Sequence, residues 1–114
     1  MKYLLQIYTA PTRLPSTQDE GEALIAAYNA FTESIVESGE LVIGEQVDRA
    51  AGTVSVQVRD GQISTTEGPF TGPGEHLGGF YIVDAKDVNR AIELAAKIPN
   101  AQTGTVEVRS LVPR

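Results

Sequence analysis

The order in which residue periodicities follow one another constrains the fold of this chain more than any other feature. Short strand-like runs lie at 2–8, 41–47, 53–59, 62–66, 80–84 and 105–111. Two stretches with helical spacing interrupt them, one at about 18–38 and one between Val88 and Pro99. Without the middle pair of strands the order is β-α-β-β-α-β, which is typical of a ferredoxin-like fold. We predict a single α+β domain over residues 1–114, with an antiparallel sheet and an inserted β-hairpin.

Local signals support the ends of these elements. Thr17 and Glu20 have the spacing of a capping box, and Gly39 stands where a helix C-cap is expected. Asp60-Gly61 is a strong hairpin-turn signal between the two middle strands. Either Asp84 or Asp87 is able to cap the second helix. The apolar stripe of the first helix consists of Leu24, Tyr28, Phe31 and Ile35.

Composition excludes several classes of function. Nine basic residues against fifteen acidic ones give a net charge of −6, which argues against nucleic-acid binding. The chain has no cysteine and one histidine, so we expect no thiolate or multi-histidine metal site, and no cofactor. No run of residues reaches the length of a membrane helix, and the first residues have no signal-peptide pattern. We therefore expect a cytoplasmic protein.

The apolar residues of the strands exceed what one covered sheet face requires. Tyr3, Leu5 and Ile7 are able to face the helices, which leaves Leu4 and Tyr8 for the opposite face. In the same way, Phe80 and Ile82 alternate with Tyr81 and Val83. Because monomers seldom expose such a patch, we predict a homodimer that packs sheet to sheet. The alternative is that the inserted hairpin folds over this face.

Several motifs resemble those of the YCII-related, DGPF-motif family. Glu67-Gly68-Pro69-Phe70 resembles the DGPF motif, with Glu in place of Asp. The segments VRDG at 58–61 and LGGFY at 77–81 match the family's surroundings of that motif. KYLLQIY near the start resembles the family's first strand, and GTVEVRSLV near the end resembles its last.

The resemblance implies a ferredoxin-like fold of the dimeric α+β barrel type and no established reaction. Some members of the family are associated with extracytoplasmic-function sigma factors, which implies a signalling context. Other branches carry a His–Asp pair proposed as catalytic, but this chain has no histidine on its first helix. The usual Lys and Gln of the segment after the motif are Gly74 and His76 here.

Two residues are the candidates for acid–base catalysis. His76 is able to act as a general base if Glu75, Glu67 or Asp84 orients it. Its alternative role is that of a solvated loop residue, which we favour. Glu67 either accepts backbone N–H bonds in its loop or lines a cleft as a carboxylate.

Five residues are the candidates for ligand binding: Tyr8, Gly68, Pro69, Phe70 and Tyr81. The two tyrosines lie on strands that we expect to be neighbours, where they either line a pocket or form an aromatic cross-strand pair. For Phe70 we favour packing onto the core over stacking on a ligand. Gly68, Gly78 and Gly79 are expected to supply positive φ or close backbone approach.

Three functions are compatible with these residues. The first, which we favour, is a non-enzymatic dimeric module that binds a small ligand or assists a signalling pathway. The second is a small cofactor-free enzyme, of the lyase or isomerase kind, that uses acid–base residues in the sheet-face cleft. The third is a structural or interaction protein whose apolar sheet face is buried entirely in the dimer interface. Convergence of Glu67 and His76 on a cavity would favour the enzyme.

Overall fold

The predicted order of elements is confirmed by a computed structural model, which describes residues 1–48, 50–70 and 74–114. The strands are β1 (Lys2–Thr9), β2 (Leu41–Gln46), β3 (Val54–Arg59), β4 (Gln62–Glu67), β5 (His76–Asp84) and β6 (Thr105–Ser110). The helices are α1 (Gln18–Glu37) and α2 (Val88–Ala96). Short 3₁₀ turns occupy Pro11–Arg13, Ala50–Gly52 and Pro99–Ala101.

Four strands form the main sheet in the order β2-β5-β1-β6, and every neighbouring pair is antiparallel. The strands β3 and β4 form a separate two-stranded sheet. An α+β chain with two helices and this antiparallel sheet is consistent with a ferredoxin-like fold.

The first helix begins and ends where its sequence signals place it. The Thr17 hydroxyl accepts a hydrogen bond from the backbone N–H of Glu20 at 3.1 Å. The Glu20 carboxylate accepts from the N–H of Ser16 at 2.9 Å, so the return bond of the capping box goes to Ser16 rather than to Thr17. At the other end, Gly39 adopts a φ of +79°, and its N–H donates to the carbonyl of Val36.

The second helix is capped by Asp87, which resolves the choice that the sequence left open. The Asp87 side chain accepts from the N–H of Arg90 at 2.8 Å. Asp84 has another role, because its carboxylate accepts a hydrogen bond from the N-terminal amine at 2.9 Å. Pro99 lies three residues beyond the helix and opens the short turn that follows.

The core lies between one face of the main sheet and the two helices. The predicted inward side chains of β1 are buried there, namely Tyr3, Leu5 and Ile7. They pack with α1 and α2 residues in one cluster, whose most buried large members are Leu5, Ile35, Leu94, Ile98 and Val83. Burying side chains of this size contributes about 1.5–3 kcal/mol each to the free energy of folding.

Strand β5 begins at His76, four residues earlier than the sequence indicated. Glycines 78 and 79 favoured a loop, but they lie inside the strand. A Cβ on Gly79 would lie 2.9 Å from the carbonyl oxygen of Glu45, so the close approach of β2 requires a glycine here. Gly78 is the extra residue of a β-bulge, since Ile7 pairs with Gly79 and Tyr8 with Leu77.

The β3–β4 hairpin, which we call the arm, extends away from the main sheet. Its turn is the predicted one, with φ values of +51° at Asp60 and +75° at Gly61. The radius of gyration is 15.9 Å, against about 13 Å for a compact domain of this length. The arm accounts for the difference, because neither of its strands packs extensively on another element among the described residues.

Candidate functional site

The face of the main sheet that points away from the helices, called the outer face, is not covered by any helix or strand of the described residues. Register and burial assign its side chains, since directly opposed residues of antiparallel strands share a face. It consists of Lys2, Leu4, Gln6 and Tyr8 of β1, Ile43 and Glu45 of β2, Leu77, Phe80, Ile82 and Asp84 of β5, and Thr105, Glu107 and Arg109 of β6. The molecule is 18 Å thick along its shortest axis, which leaves room for one sheet and one helix layer only.

The centre of the outer face is apolar. Ile82 of β5 lies directly opposite both Ile43 of β2 and Leu4 of β1, so the three form a row across the sheet. Phe80 lies in the next row, between Glu45 and Gln6. These observations confirm that the second sheet face is rich in apolar side chains. They also show that the arm does not fold over it, which was the alternative to a partner.

One end of the outer face carries polar groups around Tyr8. Its neighbours across the strands are Leu77 and Thr105, and Glu107 lies diagonally from it on β6. Burial raises the pKa of the Tyr8 hydroxyl, and hydrogen bonding to Glu107 together with the negative charge of Glu107 raises it further. The positive charge of Arg109 opposes this increase in the pKa. Tyr8 therefore remains a neutral hydrogen-bonding group at physiological pH.

Tyr81 does not join Tyr8, because it points to the opposite side of the sheet. Its partner across β1 is Leu5, and its ring is buried against Phe31 with the ring centroids 5.2 Å apart. Its hydroxyl shares a 2.8 Å hydrogen bond with the hydroxyl of Thr32. Gly44 leaves space for this ring, since a Cβ there would lie 2.6 Å from it. The two tyrosines form neither a joint pocket nor a cross-strand pair.

His76 lies in β5. The interpretation that we favoured, a residue in a solvated loop, was therefore wrong. His76 pairs with Thr9 at the end of β1 and is half-buried. Its Nδ1 atom is buried and has no hydrogen-bond partner. Within the described ranges, no hydrogen bond joins His76 to Glu67, Glu75 or Asp84, so nothing there orients the imidazole as a general base.

The residues of the EGPF motif lie at the base of the arm. Glu67 is the last residue of β4 and is exposed to solvent. Gly68 has the predicted positive φ, +95°, and its N–H donates to the carbonyl of Thr53 at 2.7 Å. Pro69 is half-buried, whereas Phe70 is 85% exposed, so the prediction that Phe70 packs onto the core was wrong. The next residues, 71–73, lie outside the described ranges.

Two open grooves on the surface involve neither catalytic candidate. One, of about 550 Å³, lies between α1 and the Pro99–Ala101 turn, with Phe31 and Lys97 among its walls. The other, of about 490 Å³, surrounds the ion pair of Glu40 and Arg90. Since neither groove is lined by Glu67 or His76, these two residues do not converge on either of them.

The described part of the chain has neither a metal-binding cluster nor a membrane-spanning helix. Among residues 1–48, 50–70 and 74–114, no three His, Asp or Glu side chains are grouped so that they could hold a metal ion. In those ranges, no helix combines the length and the apolar character that crossing a membrane requires.

A family model of the YCII-related domain matches residues 1–114. The chain belongs to the YCII-related domain family. A relative in Rhizobium meliloti (strain 1021), "Uncharacterized protein R00369", is 28% identical to this YCII-related chain over 97 residues. The alignment covers 83% of this chain and 78% of the relative, whose printed name gives no activity.

Glu107 and Arg109 add charged groups along the β6 edge of the outer face in this YCII-related chain, and they were not among the residues predicted from the sequence. Their strand alternates charged residues with Val106 and Val108, which pack against the core. That alternation was available as a signal for an outward-facing charged pair. The alternation alone does not show which strand lies next to β6. The register shows that this neighbour is β1, which carries Tyr8.

Proposed function

We propose that this YCII-related chain is a non-catalytic homodimeric module that holds a small ligand between two opposed outer faces. The observation that carries the proposal is the uncovered apolar row of Leu4, Ile43 and Ile82, with Phe80 beside it. Ile43 is 44% exposed and Leu4, Ile82 and Phe80 are half-buried, so a partner would remove their remaining apolar area from water at about 25 cal/mol per Å². Association of two outer faces is therefore favourable, and a two-fold axis applies the same gain to both copies.

The chemistry of the outer face indicates the class of ligand. Apolar side chains fill its centre, while the Tyr8 hydroxyl, the Glu107 carboxylate and the Arg109 guanidinium supply donors and acceptors along the side formed by β1 and β6. Small-molecule sites combine an apolar lining with a few such polar groups, which fix the orientation of the ligand. We propose a compact molecule with an apolar or aromatic body and one hydrogen-bonding group that reaches Tyr8.

The enzyme hypothesis has less support from the same geometry. A general base requires a partner that orients it, and His76 has none among the described residues. Glu67 is exposed at the base of the arm and away from the outer face. An association with an extracytoplasmic-function sigma-factor pathway, which the family resemblance implies, is compatible with a non-catalytic module and stays part of this proposal.

A fragment screen by two-dimensional NMR tests the ligand site. The probe is a library of small aromatic and aliphatic compounds, each titrated into ¹⁵N-labelled protein while amide shifts are followed. We expect the hits to perturb residues around Tyr8, Phe80 and Glu107. Tyr8→Phe should weaken the best hit about tenfold, which is a usual effect of losing one well-placed hydrogen bond.

The matched control is Tyr81→Phe, which removes a hydroxyl from the buried face of the neighbouring strand. It should leave the affinity of the same hit unchanged within about twofold. Hits whose shift changes avoid the outer face, or whose affinity is the same in wild type and Tyr8→Phe, would contradict the proposed site.

A further inference from the structure

The arm carries an apolar face that none of the described residues covers. Val54, Val56 and Val58 alternate along β3, and Ile63 lies directly opposite Val58. We call these four residues the valine face. Their exposed fractions are 59%, 60%, 55% and 74% in that order, values expected of surface side chains rather than of a packed layer. Phe70, just beyond the arm, is exposed as well.

The two faces of the arm differ in character. The side opposite the valine face carries Ser55, Gln57, Ser64 and Thr66, all of them polar. The valine side is mainly apolar, although Thr65 and Glu67 also lie on it, opposite Val56 and Val54. A strand pair with one mainly apolar side and one polar side is suited to packing the apolar side on another surface. Isolated two-stranded hairpins are marginally stable in water, so a covering surface would also stabilise the arm itself.

Two local hydrogen bonds close the base of the arm. The Ser55 hydroxyl donates to the carbonyl of Gly68 at 2.7 Å, and the N–H of Gly68 donates to the carbonyl of Thr53 at the same distance. The valine face does not pack on the outer face of its own copy, because its four side chains are 55–74% exposed and neither arm strand packs extensively on the main sheet.

We infer that the valine face of each copy packs on the second copy in the dimer, so that two arms are exchanged across the two-fold axis. This inference rests on the proposed homodimer and adds to it a second, separate contact surface. A self-complementary assembly of this kind covers both apolar surfaces of each chain at once.

The area needed for a stable dimer supports the exchange. In projection, a four-stranded layer with strands of six to nine residues measures about 19 Å by 20–30 Å, or roughly 400–600 Å². Specific interfaces bury about 800 Å² of accessible surface per partner, so the outer face alone makes a small interface. An arm of two six-residue strands adds roughly 200 Å² of projected area. Each copy both contributes one arm and receives one.

Charge disfavours a lipid surface as the alternative partner. The chain has a net charge of −6, and the arm itself carries Arg59 against Asp60 and Glu67. Anionic membranes attract polybasic segments, which are absent from the arm. The four residues of the valine face are uncharged, and Glu67, which lies opposite Val54 on the same side of the arm, adds a negative charge that an anionic membrane would repel.

Sedimentation equilibrium on matched variants tests the inference. Val56→Glu places a charge on the valine face, and Gln57→Glu places the same charge one residue away on the polar face. We expect Val56→Glu to raise the dimer dissociation constant about tenfold or more, and Gln57→Glu to change it by less than about twofold. Circular dichroism checks that both variants fold.

A cross-linking measurement identifies the surface that the arm contacts. A photoreactive benzoylphenylalanine replaces Val56, and protein made with natural isotopes is mixed with ¹⁵N-labelled protein before irradiation. Cross-linked peptides that join a light chain to a heavy chain support arm exchange. Cross-links confined to one chain overturn it.

A third variant separates this inference from the proposed dimer. Ile43→Lys charges the outer face on its edge strand and leaves the arm unchanged. If Ile43→Lys dissociates the dimer while Val56→Glu matches wild type, the arm inference is overturned and the sheet dimer stands. If wild type is a monomer throughout, both proposals fail.

Discussion

At the scale of single residues, the best-defined polar contact joins the loop after α1 to the first turns of α2. The Arg90 guanidinium donates two hydrogen bonds to the Glu40 carboxylate, through Nε and Nη2, each at 2.9 Å. The Glu40 side chain is 15% exposed, which shields the pair from water. Arg90 lies 3.4 Å from Glu93 as well, but that carboxylate is 61% exposed. The Glu40 pair is therefore the one that holds the two elements together.

Glu40→Gln should lower the free energy of unfolding by about 0.5–1 kcal/mol at neutral pH, the range for a partly screened ion pair. Hydrogen bonding to Arg90 holds the pKa of Glu40 below its ordinary value. Its contribution is complete above the pKa of the unfolded chain and is lost as the pH falls through the lower, folded pKa. Urea titrations at fixed protein concentration should thus show the difference at pH 7 and its disappearance in acid.

Glu93→Gln is the control for this pair, because it removes only the longer, exposed contact of Arg90. Its unfolding curve should overlay that of wild type at both pH values. A Glu40→Gln deficit that persists unchanged in acid would show that the side chain stabilises the fold by packing rather than by charge.

The residues that sequence reasoning placed wrongly share one cause. Alternation along β5 separates Phe80 from Tyr81, but only the register with β1 decides which of them shares a side with Tyr8. We predicted Phe70 to be a core residue because it is aromatic. It is exposed because it follows the arm, whose position relative to the core is not encoded in the local sequence. We predicted a loop at His76 because glycines follow it, but one of these glycines, Gly78, forms a β-bulge within the strand.

At the scale of elements, α1 shows how local chemistry fixes a helix. The N–H groups of Gly39 and Glu40 donate to the carbonyls of Val36 and Ile35, which satisfies the last turn in a Schellman arrangement. Gly39 reaches its +79° φ without steric cost because it lacks a Cβ. These signals are local, which is why both ends of the helix could be predicted from sequence.

A pair of glycine substitutions in α1 should have opposite effects on stability. Gly39→Ala should lower the free energy of unfolding by about 1–2 kcal/mol, since alanine resists a left-handed backbone. Gly21→Ala should raise it by about 0.5–1 kcal/mol, because this residue lies within the helix and its added Cβ would meet no atom within 4 Å. Thermal unfolding followed by circular dichroism measures both changes.

Equal effects of the two alanines would contradict this account of the helix.

The ends of the other elements were harder to predict, because the residues that determine them are distant in the sequence. The cap of α2 was ambiguous because two aspartates stand three residues apart, and the structure gives one of them to the N-terminal amine. The true start of β5 depends on how closely β2 approaches Gly79.

At the scale of the whole molecule, two apolar surfaces lie uncovered in one thin chain. The outer face has its apolar row at the centre, and the arm has its valine face. The sequence predicted the first surface from an excess of apolar residues over one sheet face. The sequence shows the valine face as an alternation of valines along β3. It does not show that this face lies away from the core, because that depends on the tertiary structure.

The account depends most on a second copy covering the outer face. Sedimentation equilibrium of wild type and Ile43→Lys, from micromolar to millimolar concentration, measures this directly. We predict a dimer for wild type and a shift towards folded monomer for Ile43→Lys, because the lysine must be desolvated against an apolar row. A wild-type chain that remains a well-folded monomer over the whole range would contradict it.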